Sequence, residues 1–439
     1  MKHGKRSIWA WAFYDWANSA FATTVMAGFF PIFFKQYWSL GTDVNTSTAQ
    51  LGLGNSLASL AVAIAAPVLG AISDRAGLRK RFLILFAYLG ILMTTALFVV
   101  GKGQWQLAIL IYLLGIVGFS GANIFYDSLL LVIAPRNKLD WVSGLGFSMG
   151  YLGGGLLFFL NVLMTLTPQS FGLSSPAEAV KVSFLTVAAW WTVFSLPLFF
   201  WVKDERVEQE GLSFLGYVKF GFKKFFSTLK KIRKLKSVFL FLLAYWFYID
   251  GVDTIIRMAV DYGISLGFST NSLIKALLMV QFIGFPAALA FGKLGEVWSV
   301  KKAIYLGLLV YVGITLWGML MREEWEFYVL ALMVGLVQGG VQALSRSFYS
   351  RLIPKRESAE FFGFYNMVGK FAAIIGPALM GLVAISVRKV LMPPTPNSSQ
   401  IQQVSEIATR ISIGSVLLLF LLGGVLLSFV KGEKGGKTT

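Results

Sequence analysis

Residues 70–81 read GAISDRAGLRKR, and residues 292–302 read GKLGEVWSVKK; each stretch joins two long apolar segments. They lie 222 positions apart in a chain of 439 residues, with Asp74 matching Glu296 and Arg79-Lys80 matching Lys301-Lys302. A second pair agrees at an offset of 219. Residues 121–135 (GANIFYDSLLLVIAP) fall on residues 340–354 (GVQALSRSFYSRLIP), and Gly150 falls on Gly369. An apolar chain made of two similar halves implies a membrane protein built from repeats, with any solute site where the repeats meet.

Composition agrees. Hydrophobic residues make up 56% of the chain and charged residues 14%, against roughly 25% charged in soluble domains. The absence of cysteine excludes disulfides and thiolate metal sites. The one histidine, His3, lies in the leading tail, which argues against a histidine-based catalytic centre. No Walker A sequence, metal-ligand cluster or soluble cleft with paired acids is visible, so the chain reads as neither an enzyme nor a cofactor or metal protein.

Twelve apolar segments are expected, at about 8–38, 49–73, 79–101, 104–134, 141–165, 179–202, 237–263, 270–293, 302–321, 326–353, 359–387 and 404–430. Each reaches the ~20 residues that a spanning helix needs. The first is long, carries Asp15 and Asn18, and lacks a small-residue cleavage site, so it reads as a span and not as a cleaved signal. With the N-terminus inside, 28 of the 39 basic residues fall inside, 8 outside and 3 within the membrane. That bias explains the net charge of +18 as topology and not as nucleic-acid binding. The expected fold is all-α: a bundle of spans 1–202, a basic linker 203–236, and a second bundle 237–439. In the linker, Leu215, Val218, Phe222, Phe225, Leu229 and Ile232 recur at three and four residues with lysines between them. This pattern predicts an amphipathic helix on the inner membrane surface.

Gly70, Asp74, Arg75, Gly77, Arg79 and Lys80 resemble the signature between helices 2 and 3 of the major facilitator superfamily. The resemblance implies twelve helices in two pseudo-symmetric six-helix bundles, and a gate. Gly77 allows a tight turn, and Asp74 can pair with a loop arginine and accept from a neighbouring helix terminus. The bare alternative is a basic stop signal for topology. Residues 11–21 (WAFYDWANSAF), 342–347 (QALSRS), Pro354 and 360–365 (EFFGFY) carry a finer likeness. They resemble the branch containing the autophagy-related vacuolar amino-acid effluxer and its bacterial relatives. That implies a solute transporter with amino acids as substrate class.

Charges at membrane depth are costly, so each is a site candidate by default. Seven lie deep within segments: Asp15, Asp127, Asp250, Asp253, Arg257, Arg346 and Lys370. Asp15 and Asn18 share a helix face, and Asp250 and Asp253 repeat that spacing in segment seven, with Thr254 matching Ser19. Asp253 and Arg257 form an i,i+4 pair, which either faces a cavity or neutralises itself for insertion. Asp127 and Arg346 correspond under the 219 offset. Arg346 is expected to pair either with Asp127 across the halves or with Asp250 within its own, and the sequence weighs the two alike. Lys370 matches uncharged Tyr151, and that broken symmetry favours a ligand or coupling role. The expected binding or coupling set is Asp15, Asn18, Asp250, Asp253, Arg257 and Lys370. The expected gate is Gly70, Asp74, Arg75, Gly77, Arg79, Asp127 and Arg346.

The resulting expectation is a monomeric secondary transporter of the inner or plasma membrane, with both termini cytoplasmic. It would move a small zwitterionic solute by alternating access, with protons as an available coupling ion and the bilayer as its other partner. An exporter of amphiphiles or drugs, and a non-transporting solute sensor, are the rival readings.

Overall fold

The computed structural model describes residues 4–41, 44–204, 213–265, 269–393 and 397–431. Among these residues every regular element is helical. Twelve helices are long and apolar enough to cross a bilayer: Lys5–Trp38, Gln50–Ala76, Arg79–Val99, Trp105–Ile133, Arg136–Leu166, Pro176–Trp201, Lys236–Ile256, Ser272–Val297, Val300–Leu320, Glu324–Leu352, Lys355–Leu391 and Ser398–Phe429. They are called spans 1 to 12. Span 12 starts earlier than its apolar run because the Asn397 side chain caps it, accepting from the Gln400 N–H at 2.9 Å. Span 1 is not uniformly α-helical. Its Phe21–Phe29 stretch is π-helical, a rare widening that recurs at functional sites.

Spans 1–6 and spans 7–12 meet along two seams, span 2 against span 11 and span 5 against span 8. Small residues set how close the seams are. A Cβ on Gly70 would overlap the Ala359 carbonyl, and one on Gly144 would lie 2.8 Å from the Ala288 carbonyl oxygen. Interdigitation of this kind is how helices associate where no water drives them together.

The chain between spans 6 and 7 forms the linker helix Phe214–Lys234. Part of its apolar stripe meets protein, while Phe222 of the same stripe stays exposed. Phe225 stacks on Phe364 of span 11, with ring centroids 5.3 Å apart, and Gly221 lies against Val68 and Ile72 of span 2. Thr228 and Ile232 are buried. Amphipathic periodicity records an apolar surface to be covered and does not tell protein from lipid. The face of the molecule that carries this helix and the turn at Gly77 is called the linker face; the opposite one is the far face.

Candidate functional site

Between the seams lies a cavity of about 560 Å³. Its charged floor joins residues from both halves. Arg346 of span 10 donates from Nη1 to Asp127 Oδ1 of span 4 at 3.0 Å. Its Nε donates to Ser143 Oγ and its Nη2 to the Ser143 carbonyl, both at 2.9 Å. The guanidinium also lies 4.4 Å from the Phe147 ring and 4.8 Å from the Trp11 ring. Asp15 of span 1 stands 4.0 Å from Nη1 and accepts from Tyr126 Oη at 3.1 Å and Ser19 Oγ at 3.3 Å. Beside it Asn18 Nδ2 donates to Asn123 Oδ1 at 2.6 Å, and Asn366 Nδ2 donates to Asp127 at 3.4 Å. Two carboxylates thus share one arginine in a site largely removed from water, where field strength is high and unpaired charge expensive. Above this floor the wall is mostly apolar, with Ala27, Phe119, Leu273, Leu277, Val280 and Leu330.

The arrangement resolves the choice at Arg346: its partner is Asp127, its own repeat counterpart, and not Asp250. Asp15 and Asn18 line the cavity as their shared face predicts. Asp250 lines neither cavity described here. It is fully buried, and its Oδ1 accepts the Gly376 N–H of span 11 at 2.9 Å and Thr254 Oγ1 at 3.3 Å. The three-residue spacing to Asp253 carries over, but span 11 comes close enough at Gly376 to take Asp250 as a backbone partner. Asp253 and Lys370 line a second pocket of about 160 Å³ beside the first, together with Gln342, Tyr365 and Asn366. The Arg257 side chain lies outside the described residues.

The linker face is fastened. Asp74 accepts Arg79 Nε at 2.7 Å and, across the seam, the backbone N–H groups of Ala359 at 3.1 Å and Glu360 at 2.8 Å. Arg79 Nη2 donates to the carbonyls of Lys355 and Arg356 at 3.3 and 3.0 Å. A carboxylate at the start of span 11 is favoured by the free N–H groups and dipole of that end. Arg75 does not join this cluster; its guanidinium sits 4.4 Å from the Phe220 ring of the linker helix. Lys80 works within its own half, its N–H donating to Asp204 at 2.7 Å, where burial holds the Asp204 carboxyl above the usual range. Gly77 has φ +64°, the left-handed turn that its spacing from Asp74 anticipates.

Sequence reasoning missed several members. Arg351 of span 10 pairs with Asp140 of span 5 at 2.5 Å, joining the two halves beside the second seam. Ser143, Tyr126, Asn123 and Asn366 orient the charged floor, yet small neutral polar residues are common in spans and carry no such signal. The polar contacts described between spans 1–6 and 7–12 sit on the linker half or at mid-depth. The farthest along is Gln281 to Thr23, at 2.5 Å. From there the cavity continues past Met380 and Phe327 toward the far face.

The family described as vacuole effluxer Atg22 like matches residues 3–140 and 134–387. The uncharacterized MFS-type transporter YxiO of Bacillus subtilis (strain 168) is 36% identical over 436 residues, 99% of this chain and 96% of that protein. Autophagy-related protein 22 of Kluyveromyces lactis is 22% identical over 437 residues, 86% of this chain and 88% of its own. The Yarrowia lipolytica protein of the same name is 28% identical over 273 residues, 55% of this chain and 45% of its own. Among solved structures, the human organic anion transporter MFSD10 superposes with a TM-score of 0.69 at 16% identity, over 96% of this chain and 100% of that one. The proton:xylose symporter XylE superposes with a TM-score of 0.69 at 12% identity, over 97% and 95%. At these identities the structures speak for the fold alone. The chain belongs to the Atg22-like vacuole effluxer family and is a multi-pass membrane transporter of the major facilitator superfamily.

Proposed function

We propose that the protein moves a small zwitterionic, amino-acid-like solute by alternating access, and that Asp15, Asp127 and Arg346 receive it. The observation that carries this reading is the unequal charge cluster at the fastened end of the cavity. One carboxylate more than the guanidinium can balance suits a solute ammonium. The described bonds of Arg346 use three of the five N–H groups of a guanidinium, which leaves donors for a solute carboxylate. The 4.0 Å between Asp15 Oδ2 and Arg346 Nη1 matches two charges carried on one small molecule. Residues 1–202 and 237–439 then act as the rocking bodies, and Gly70, Asp74 and Arg79 hold the linker face shut while the cavity faces the other way. Asp15 is also the natural carrier if a proton is coupled, because its carboxylate lines the cavity beside the proposed solute position. Asp253 and Lys370, in the adjoining pocket, are assigned to coupling and not to first contact with the solute.

Counterflow in proteoliposomes with labelled amino acids tests this: preloaded amino acid should accelerate uptake, and an imposed pH gradient should change its extent if protons are coupled. The apolar upper wall favours a second reading, an exporter of amphiphiles. Counterflow driven by amphipathic cations and not by amino acids would select it, and binding without exchange would select a sensor. The protein is assigned to the plasma membrane as a monomer, with the linker face cytoplasmic. Cysteines placed at the exposed positions Thr46 and Ser398 of the cysteine-free chain should then label in intact cells. Labelling only after permeabilisation would reverse the orientation.

A further inference from the structure

The linker helix has a second face that none of the described residues covers. Lys219, Phe222, Lys223, Phe226, Lys230, Arg233 and Lys234 are exposed, and their spacing of three, four and seven residues gathers them on one side. Phe222 is 49% and Phe226 61% exposed, so two large apolar rings stand in a row of five cations. The opposite face is the docked one: Phe225 stacks on span 11, Gly221 lies against span 2, and Thr228 and Ile232 are buried. It also carries Lys224, which donates to Glu357 Oε1 at 2.9 Å and lies 3.8 Å from Glu360, and Lys231, which is paired with Glu357. The glutamates and the neighbouring Lys224 hold each other: against the opposing effect of burial, Glu357 and Glu360 keep the Lys224 ammonium above its usual range. The basic residues therefore divide into two sets: two lysines clamp the helix to the protein, and five cations point away from it.

Depth separates the candidate occupants. Gly221 lies against Val68 and Ile72 of span 2, whose helix runs on to Ala76. At ~1.5 Å per residue that places the helix about 6–12 Å inside the end of the span. This is the headgroup and upper acyl level, where amphipathic helices seat their rings and keep their cations among phosphates. A soluble protein partner would not need apolar rings at that depth, nor would a free polyanion.

We propose that the outer face of the linker helix is a binding surface for anionic phospholipid headgroups, with Phe222 and Phe226 in the acyl boundary and Lys219, Lys223, Lys230, Arg233 and Lys234 on the phosphates. Because the inner face bridges spans 2 and 11, which lie on opposite sides of a seam, the lipid contact fastens the closed linker face to the bilayer. This does not depend on which solute the cavity carries.

The test uses the full chain, which has no native cysteine. Ser227→Cys, on the exposed side beside Phe226, is labelled with an environment-sensitive fluorophore, and the protein is reconstituted into phosphatidylcholine alone or mixed equally with phosphatidylglycerol. The expected result is a blue shift, and quenching by spin-labelled phosphatidylglycerol, in the anionic bilayer only. Replacing Lys219, Lys223, Lys230 and Lys234 with glutamine should weaken the preference for anionic lipid by roughly tenfold or more. Lys224→Gln should leave it within about twofold. Identical signals in the two bilayers would overturn the proposal. So would a signal moved by soluble inositol phosphates in neutral bilayers and not by phosphatidylglycerol. The lipid comparison needs no charge removal, so a misfolded multiple variant does not spoil it.

Discussion

Asp15 and Asp250 occupy corresponding places in spans 1 and 7, and each accepts a hydroxyl from four residues on, Ser19 and Thr254, both at 3.3 Å. There the likeness ends. Asp15 looks into the cavity beside Tyr126 and Arg346, whereas Asp250 is sealed against the backbone of span 11 at Gly376. Asp74 and Glu296 differ in the same way. Asp74 takes three donors, two of them across a seam, while Glu296 pairs at 3.2 Å with Lys293 in its own turn. The repeat reproduces what a helix does to itself over four residues. What a position does for the protein depends on which neighbour the opposite spans bring to it.

The largest effect is expected at Arg346, the counterpart of Asp127. Arg346→Met strands two carboxylates at once, which should cost roughly 3–5 kcal/mol of stability and abolish transport. Asp127→Asn should cost less, because Arg346 keeps Ser143 and has Asp15 nearby. Melting temperatures and counterflow rates of the two variants check the order; equal losses would mean that Asp15 contributes nothing to holding the arginine.

A smaller effect separates the loop copies. Asp74→Asn weakens the two bonds that cross the seam to span 11, so about 1–3 kcal/mol is lost from the fastened arrangement. Solute exchange should slow by tenfold or more with little change in affinity. Glu296→Gln should stay within ~0.5 kcal/mol, since its pair is partly solvated. Equal exchange rates in both would leave the 70–81 motif as a topology signal alone.

The smallest contrast is at the turns. Gly77 has φ +64°, while its counterpart Ser299 is extended and caps span 9, accepting from the Lys302 N–H at 3.2 Å. Gly77→Leu should cost ~1–2 kcal/mol and slow exchange, since the left-handed turn aims Arg79 at span 11. Ser299→Ala should cost ~1 kcal/mol and leave exchange unchanged. Thermal melting with stopped-flow exchange resolves the two.

The same contrast explains how much could be read from the sequence. The twelve spans were legible because bilayer thickness sets a length that few other constraints imitate. The contacts of Asp74 with a loop arginine and a helix start were legible because a charged turn between spans has few partners to choose from. Pairing of Arg346 with Asp127 was half legible: the 219 offset made them counterparts, but only the crossing of spans 4, 5 and 10 excludes Asp250. The burial of Asp250 and the docking of the linker helix on protein were illegible. Both depend on what approaches from the far end of the chain, and neither helical spacing nor periodicity carries that information. Asn123 and Ser143 escaped for a related reason: they are ordinary residues made important by the charges set beside them.

The most direct measurement compares Asp15→Asn with Asp250→Asn by thermal shift, with and without the amino acid that counterflow identifies as transported. At about 100 times its dissociation constant a ligand should stabilise the parent by ~2.7 kcal/mol. Asp15→Asn is predicted to melt like the parent and to lose that stabilisation. Asp250→Asn is predicted to melt lower, having weakened its bond to Gly376, and to keep it. An Asp15→Asn variant that folds, retains the full solute-induced shift and still exchanges solute like the parent would contradict the account.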